Sequence, residues 1–271
     1  MTTKAMFITL RRACMMAALI LAAGVAQSAD VTGSIITKDD NPFKGVIKWK
    51  GAARVYVITT GKMDLEFAPA QIKEMDIPEP AGFREAVKAV QEGRPQQAIP
   101  VLDRIAQDYL MLQWDEPATR ALAEAYLVGG DHAGALRVCD KVISAKPVAA
   151  YSGEMAPIYW QALLKSGKTS KLDNLLEQAI KTGAPEATAY ALIMRGDILV
   201  AKGDFKGALK DGYLRVITLF RAVRAVQPEA LYKAAKAFDQ MNQASRAETM
   251  RKQLLLEFKD SDWARQVKGG S

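Results

Sequence analysis

The chain has few side chains that could carry out chemistry, and the most reactive of them stand alone. His132 lies in Gly130-Asp131-His132, where an imidazole would serve as a general base or a metal ligand. The sequence contains no second histidine that could complete a metal site or a catalytic pair. Because Gly130-Asp131 is typical of a turn, we interpret His132 as a solvated turn residue.

Cys139 is the other candidate, since a thiolate is a nucleophile and a metal ligand. It follows Ala135 by four residues, which places it on the inward face of a predicted helix. We therefore interpret it as a core residue. The sequence also lacks a nucleophile elbow, a glycine-rich phosphate loop and a calcium loop. A carboxylate pair could still assemble from distant acids, but no motif indicates one. The sequence predicts a non-enzyme without a cofactor or a metal.

Composition limits the class of protein. The 271 residues carry 37 Lys and Arg against 30 Asp and Glu, and 49% of them are hydrophobic. This balance is typical of one or two folded domains, and it excludes a disordered chain, a collagen-like fibre and a multi-span membrane protein.

Residues 1–29 have the pattern of a secretory signal peptide. Lys4, Arg11 and Arg12 precede an apolar run at 13–26, and small residues follow it up to Ala29. The run is shorter than the roughly 20 residues of a membrane span. Cleavage near Ala29 would remove three basic residues and no acids, so the net charge would fall from +7 to +4. We expect a periplasmic or secreted protein of a bacterial envelope, with too little positive charge for nucleic-acid binding.

Residues 30–78 predict a small antiparallel β module. Apolar residues alternate at 46–50, 54–59 and 63–67, and turn residues separate these segments. A single helical turn is expected at 68–72, before a last short strand at 73–77. This arrangement resembles a small SH3-like or Sm-like barrel.

The β module is too small to bury much apolar surface by itself. We therefore expect it to pack against the rest of the chain or against another protein. Pro78-Glu79-Pro80 marks its boundary with the next domain, because two prolines so close together end a strand and favour the start of a helix.

Residues 79–267 contain a repeat. A Gly or Asn turn is followed five residues later by Ala or, once, by Leu, and these second members recur every 36 to 39 residues. The pairs are Gly93 with Ala98, Gly130 with Ala135, Gly167 with Leu172, Gly203 with Ala208, and Asn242 with Ala247. A fixed period in this range predicts stacked helical hairpins.

The second unit carries the pattern most clearly. Ala121-Leu122-Ala123-Glu124-Ala125-Tyr126 precedes Gly130-Asp131 and Ala135-Leu136, and Pro147 closes the unit. These units resemble tetratricopeptide repeats (TPR) over nearly all of residues 81–264. The resemblance implies a mainly α fold, an α-solenoid of about five TPR-like hairpins preceded by the β module.

The fourth unit, Arg195-Gly196-Asp197 followed by Gly203-Asp204-Phe205 and Ala208, fits almost as well. The third departs from the pattern, because Trp160 stands where a small residue is usual and Leu172 replaces Ala. Close helix crossing requires small side chains. We expect Ala123, Gly196 and Ala235 on first helices to face Ala135, Ala208 and Ala247 on second helices.

The resemblance also implies a concave groove lined by the first helix of each hairpin. The predicted protein-binding residues are Arg120, Glu124, Gln161, Lys165, Tyr190, Asp197, Tyr232 and Lys236. Their charges are mixed, and the set lacks the concentrated Lys, Arg and Asn residues with which some relatives clamp a terminal carboxylate. The predicted partner is another protein or an extended peptide, and nucleic acid is not expected.

A second surface lies on the helix predicted to begin near Phe205. Its basic residues share one side with apolar residues, which would suit either a peripheral membrane contact or packing against the next hairpin, and we favour packing. The basic residues are Lys206, Lys210, Arg221 and Arg224, and the apolar ones are Tyr213, Ile217 and Phe220.

The C-terminal segment 254–264 resembles the closing helix of exported TPR proteins of bacterial envelopes, and residues 268–271 are expected to form a disordered tail. The leading functional hypothesis is an exported scaffold or adaptor that binds a protein in its groove. One alternative is an envelope enzyme or carbohydrate-processing factor with its site between β module and solenoid. Another is a structural subunit of a surface assembly, whose β module adds strands to a partner's sheet. The oligomeric state stays open.

Overall fold

A computed structural model describes residues 30–269. The predicted signal peptide, residues 1–29, lies outside the described residues. The predicted tail is described as far as Gly269, and there the last helix continues through Lys268 and Gly269.

The N-terminal part forms one antiparallel five-stranded sheet. The antiparallel β module is confirmed, and the structure adds a first strand that the alternating segments did not predict. The strands are β1 (Thr32–Thr37), β2 (Pro42–Lys50), β3 (Val55–Thr60), β4 (Met63–Phe67) and β5 (Ile72–Asp76). Their order in the sheet is β4-β3-β2-β1-β5, so β5 pairs with β1 and not with β4. A 3-10 turn at Pro69–Gln71 precedes β5. Ile35, Ile47 and Ile58 are fully buried and form the centre of the module's core.

The remainder of the described chain is helical. The helices are α1 (Phe83–Gln91), α2 (Pro95–Asp108), α3 (Asp115–Val128), α4 (His132–Ala145), α5 (Met155–Lys165), α6 (Thr169–Lys181), α7 (Pro185–Ala201), α8 (Phe205–Ala208), α9 (Leu214–Leu219), α10 (Gln227–Gln240), α11 (Ala244–Glu257) and α12 (Asp262–Gly269). A π-helical turn at Leu209–Tyr213 joins α8 to α9. The helices pair as α1–α2, α3–α4, α5–α6, α7 with α8–α9, and α10–α11, and α12 closes the array. The fold is therefore an α-solenoid of five TPR-like hairpins behind an antiparallel β module, as predicted.

The repeat in the sequence corresponds to the turn and the first buried position of each second helix. Gly93, Gly130, Gly167 and Gly203 have φ between +69° and +77°, and Asn242 has φ of +56°. This left-handed conformation is open to Gly and tolerated by Asn. The residues five positions later are all completely buried: Ala98, Ala135, Leu172, Ala208 and Ala247.

The third hairpin accommodates the large Trp160 by means of an extra turn. A 3-10 segment at Pro147–Ala150 precedes α5, and the indole Nε1 of Trp160 donates a 2.8 Å hydrogen bond to the Ala150 carbonyl. Trp160 is only 1% exposed. Its polar N–H is satisfied, so the ring serves as core in place of the small residue of the other units.

In the fourth hairpin two glycines face each other where the helices meet. Gly196 of α7 lies against Gly212 and the ring of Tyr213, both within the π-helical turn. The repeat spacing predicts that Gly196 faces Ala208, which lies four residues before Gly212 on a helix predicted to be continuous. That helix is instead interrupted by the π-helical turn, and the pair of glycines lets the two backbones come close.

The β module packs on the first two hairpins, as expected from its size. Leu112, in the connection between α2 and α3, is buried in the core of the module. Trp114 Nε1 donates a 2.8 Å hydrogen bond to the carbonyl of Ile77, and the Gln113 side-chain oxygen accepts one of 2.8 Å from the Ile77 N–H. The connection between α2 and α3 thus completes the core of the β module and holds Ile77 in place at its C-terminal end. Within residues 30–269, no helix is long and apolar enough to cross a membrane.

Candidate binding groove on the first helices

The first helices of the hairpins share a cavity of about 840 Å³. Its lining residues come from α1, α3, α5, α7 and α10, from connections between helices, and from the start of α12. The second helices of the hairpins supply none of these lining residues. This asymmetry is that of a solenoid whose first helices form the inner face, and the volume lies within the range of ligand sites, about 300–1,000 Å³.

Four of the eight predicted groove residues line this cavity. They are Arg120 and Glu124 on α3, Gln161 on α5, and Tyr190 on α7. Arg120 and Glu124 are four residues apart and therefore lie on one face of α3. The Arg120 guanidinium forms a 3.2 Å ion pair with Glu154, which directly precedes α5 and so links the second and third hairpins.

Glu124 is half-buried beside these charges. Burial raises the pKa of its carboxyl above the ordinary range, with a smaller contribution in the same direction from Glu154, while nearby Arg120 opposes the shift. A carboxylate in such a position has lost part of its hydration, so it gains more from a cation than an exposed one does.

Aromatic rings form much of the remaining wall. Tyr151, Tyr190 and Trp263 line the cavity with half-buried rings, whereas Trp160, which also borders it, is only 1% exposed. Trp263 belongs to α12 and is held by the ring of Tyr232, with 5.1 Å between ring centroids. Large rigid rings of this kind give contact area with little loss of side-chain freedom on binding.

The charged residues of the cavity are mainly acidic. The carboxylates are Glu124, Glu154, Glu186, Glu229 and Asp262, and the single basic residue among those lining the cavity is Arg120. Burial raises the pKa of the Tyr190 hydroxyl, and the negative charges of Glu229, Glu186 and Glu154 raise it further. These three glutamates therefore shift the pKa of Tyr190 in the same direction.

The sequence did not identify Glu154, Glu186, Glu229, Asp262 or Trp263. Glu186 could have been found from its spacing, because it precedes Tyr190 by one helical turn on α7. The others lie in connections or at helix ends, for which the repeat spacing predicts no direction.

Asp197 has a different environment from the one predicted. Its two carboxylate oxygens accept a 2.7 Å hydrogen bond from the Tyr213 hydroxyl and a 2.6 Å hydrogen bond from Lys233 Nζ. Lys233 also pairs with Glu229 at 2.6 Å. Burial disfavours the charge of Lys233, but Glu229 and Asp197 outweigh burial and raise its pKa. Asp197 thus joins α7 to α10, and its carboxylate is already engaged.

The three other predicted groove residues lie elsewhere. Tyr232 and Lys236 line a smaller cavity of about 440 Å³ among α10, α11 and α12. Lys236 Nζ is 5.6 Å from the Tyr232 ring centroid. Lys165 is exposed at the end of α5 and lines neither cavity.

The basic surface on α8 and α9 is largely used in packing. Tyr213 is 2% exposed, and Ile217 and Phe220 pack against the same core. Glu257 at the end of α11 pairs with Arg224 at 3.2 Å and with Arg221 at 3.8 Å. The apolar side chains thus support the packing interpretation. Lys206 and Lys210 are the exposed members of the predicted set that carry no such ion pair among the described residues.

The two reactive residues are in structural positions. Cys139 is completely buried beside Met155, and burial raises the pKa of its thiol to about 12. A thiol with such a pKa is not a nucleophile at neutral pH. His132 is the first residue of α4, next to Asp131, whose carboxylate accepts the Gly134 N–H at 2.8 Å and caps the helix. Residues 30–269 contain no group of three or more His, Cys, Asp or Glu that could hold a metal ion.

Comparison with solved structures finds a likeness to a helical repeat protein. No protein-family model matches this chain, and no curated protein matches it. A crystal structure of nearly identical TPR-like repeats from Podospora anserina, described as a kinesin light chain, is similar to 67% of this chain over 96% of its own length. The sequence identity is 17% and the TM-score is 0.46.

Proposed function

We propose that this protein is an exported scaffold or adaptor that binds another protein in the groove of its first helices. The observation that carries the proposal is the cavity itself, which is walled by aromatic and apolar side chains and has polar groups from several hairpins around it. A surface of this composition is typical of a site that is covered by a partner.

We propose further that the β module is an SH3-like barrel that caps the solenoid. The proposal is supported by the 3-10 turn just before β5, which is the one-turn helix on which the resemblance rests, and by the pairing of β5 with β1. The end of a solenoid needs such a cap, because its outermost hairpin would otherwise expose an apolar face. Leu112 and Trp114 make the attachment.

The alternative hypothesis of an enzyme site between the β module and the solenoid is less favoured. The junction is filled by Leu112, and the Tyr56 hydroxyl donates a 2.9 Å hydrogen bond to the Met111 carbonyl across it. Burial raises the pKa of this hydroxyl, so Tyr56 stays protonated at neutral pH. These contacts favour a structural junction.

The partner-binding function is tested by blocking the groove without unfolding the protein. Gln161 is exposed and lines the cavity, so Gln161→Trp places a large ring in the groove. Gln178→Trp is the matched control, because Gln178 is exposed on α6 of the same hairpin and does not line the cavity. Tagged proteins are purified from the native envelope and their partners are quantified by mass spectrometry. We expect the Gln161 variant to lose a partner that the Gln178 variant keeps; equal recovery from both would contradict the proposal.

Export is tested separately by N-terminal sequencing of the protein from the native cell. Cleavage after Ala29 predicts a mature chain that begins at Asp30. An intact N-terminus in the cytoplasmic fraction would contradict export and leave the groove proposal standing.

A further inference from the structure

The sign of the charge in the groove differs from that of the protein as a whole. Residues 30–269 carry a net charge of +4, since 34 basic residues stand against 30 acids. The cavity nevertheless has five carboxylates and one guanidinium among its lining residues. The groove is therefore an acidic region on a basic protein.

Part of this acidic charge is compensated by neighbours. Glu154 pairs with Arg120, Glu229 pairs with Lys233, and Asp262 pairs with Arg265. Glu124 and Glu186 make no ion pair with any described residue. These two carboxylates are the ones available to a cation that enters the groove.

The available carboxylates share the cavity with an aromatic ring. Glu186 and Tyr190 lie one turn apart on α7, and the half-buried Tyr190 ring lines the same wall. A cation beside Glu186 would gain from its carboxylate and from the face of the Tyr190 ring together. Apolar side chains complete the cavity, among them Val128, which is 53% exposed although hydrophobic, and Ile193.

We propose that the groove binds an extended, lysine- or arginine-rich peptide segment of a partner protein, with one cationic side chain beside Tyr190 and Glu186 and another beside Glu124. The segment would carry apolar residues between its cationic ones, because alternate side chains of an extended chain point to opposite sides and would meet the carboxylates and the apolar wall in turn. This inference rests on the proposed scaffold function and adds the chemistry of the partner.

The test compares short fluorescent peptides by anisotropy with the purified protein. The first peptide alternates lysine with leucine, and two others of equal length replace lysine by glutamate or by serine. We expect the lysine peptide to bind most tightly, the glutamate peptide most weakly, and added salt to weaken the lysine peptide selectively.

Variants identify the groove as the binding surface. Glu186→Gln should weaken the lysine peptide about three- to tenfold, because Glu186 is exposed and its ion pair with a lysine would contribute about as much as an ordinary hydrogen bond. Glu116→Gln is the matched control: Glu116, like Glu186, is an exposed acid in the first turn of its helix, and it does not line the cavity. The control removes the same charge and the same helix-dipole contribution, so its affinity should stay within about twofold of the parent.

The pH dependence gives a further readout. Glu124 faces Arg120 on its own helix and Glu154 before α5, and burial raises its pKa. Only the ionised form attracts a cation. Affinity for the lysine peptide should therefore fall on acidification, starting at a higher pH than for an ordinary glutamate, and Glu124→Gln should reduce this early loss.

Three results would overturn the inference: equal binding of the three peptides, tighter binding of the glutamate or serine peptide, or no binding of any of them. An equal effect of Glu186→Gln and Glu116→Gln would also overturn it. None of these results bears on partner recovery with Gln161→Trp, so failure of the inference is distinct from failure of the scaffold function.

Discussion

Gly196→Ala should destabilise the protein although alanine is the better helix former. A Cβ at this position would lie 2.4 Å from Cε1 of Tyr213, against about 3.5–4.0 Å for an ordinary carbon contact. Tyr213 cannot move freely, because it is 2% exposed and its hydroxyl donates a 2.7 Å hydrogen bond to Asp197. Overpacking destabilises by about 1–3 kcal/mol, and weakening a hydrogen bond to a charged acceptor destabilises by about 1.5–3 kcal/mol. The higher helix propensity of Ala over Gly stabilises by about 1 kcal/mol.

The expected net loss is about 1.5–5 kcal/mol in the free energy of unfolding, measured by urea denaturation followed by circular dichroism. Tyr213→Leu provides the control, because it removes the ring that the new methyl group would strike. In a double-mutant cycle, Gly196→Ala should cost clearly less in the Tyr213→Leu background than in the parent. If Gly196→Ala raised stability by about 1 kcal/mol, as helix propensity alone predicts, α7 and the π-helical turn would not be in contact at this point.

Three further substitutions probe other contacts, each by the same unfolding measurement. Ala208→Leu should cost about 1–3 kcal/mol, because Ala208 is completely buried, and an unchanged midpoint would contradict the helix contact. Leu112→Ala should cost about 2–5 kcal/mol, since it removes the residue that the connection between α2 and α3 inserts into the β module's core; little or no loss would show that the module does not depend on it. Lys233→Met should cost about 2–4 kcal/mol, because it leaves Asp197 and Glu229 unpaired and only 19% exposed. The raised pKa of Lys233 means that its contribution is complete below the ordinary lysine value of 10.5 and is lost as pH rises through the folded-state pKa, so the parent should lose more stability than the variant above that pH.

The hairpins were predictable from the sequence because their cause is local. Each turn needs a residue that tolerates positive φ, and each second helix needs a small or fitting side chain five positions later. Gly93 with Ala98 and Asn242 with Ala247 satisfy both requirements within a few residues. The recurrence of such pairs therefore predicts the position of each hairpin.

The charge environment of the groove was not predictable in the same way. Asp197 has the spacing of a groove residue, but its carboxylate is engaged by Lys233, which lies 36 residues later in the next hairpin. The repeat spacing predicts on which face of a helix a residue lies. It does not predict which residues of the following hairpin contact that face. Trp263 was missed for a related reason, since its position depends on how α12 folds back onto α10.

Site-specific photocrosslinking in the native cell tests most directly whether the groove is the partner-binding surface. A photoreactive amino acid replaces Gln161 in the cavity wall or, as the control, Gln178 on α6. The proposed function predicts a discrete crosslinked partner from position 161 and none from position 178, and excess lysine–leucine peptide should suppress the crosslink. A partner captured from position 178 and not from position 161 would contradict binding in the groove.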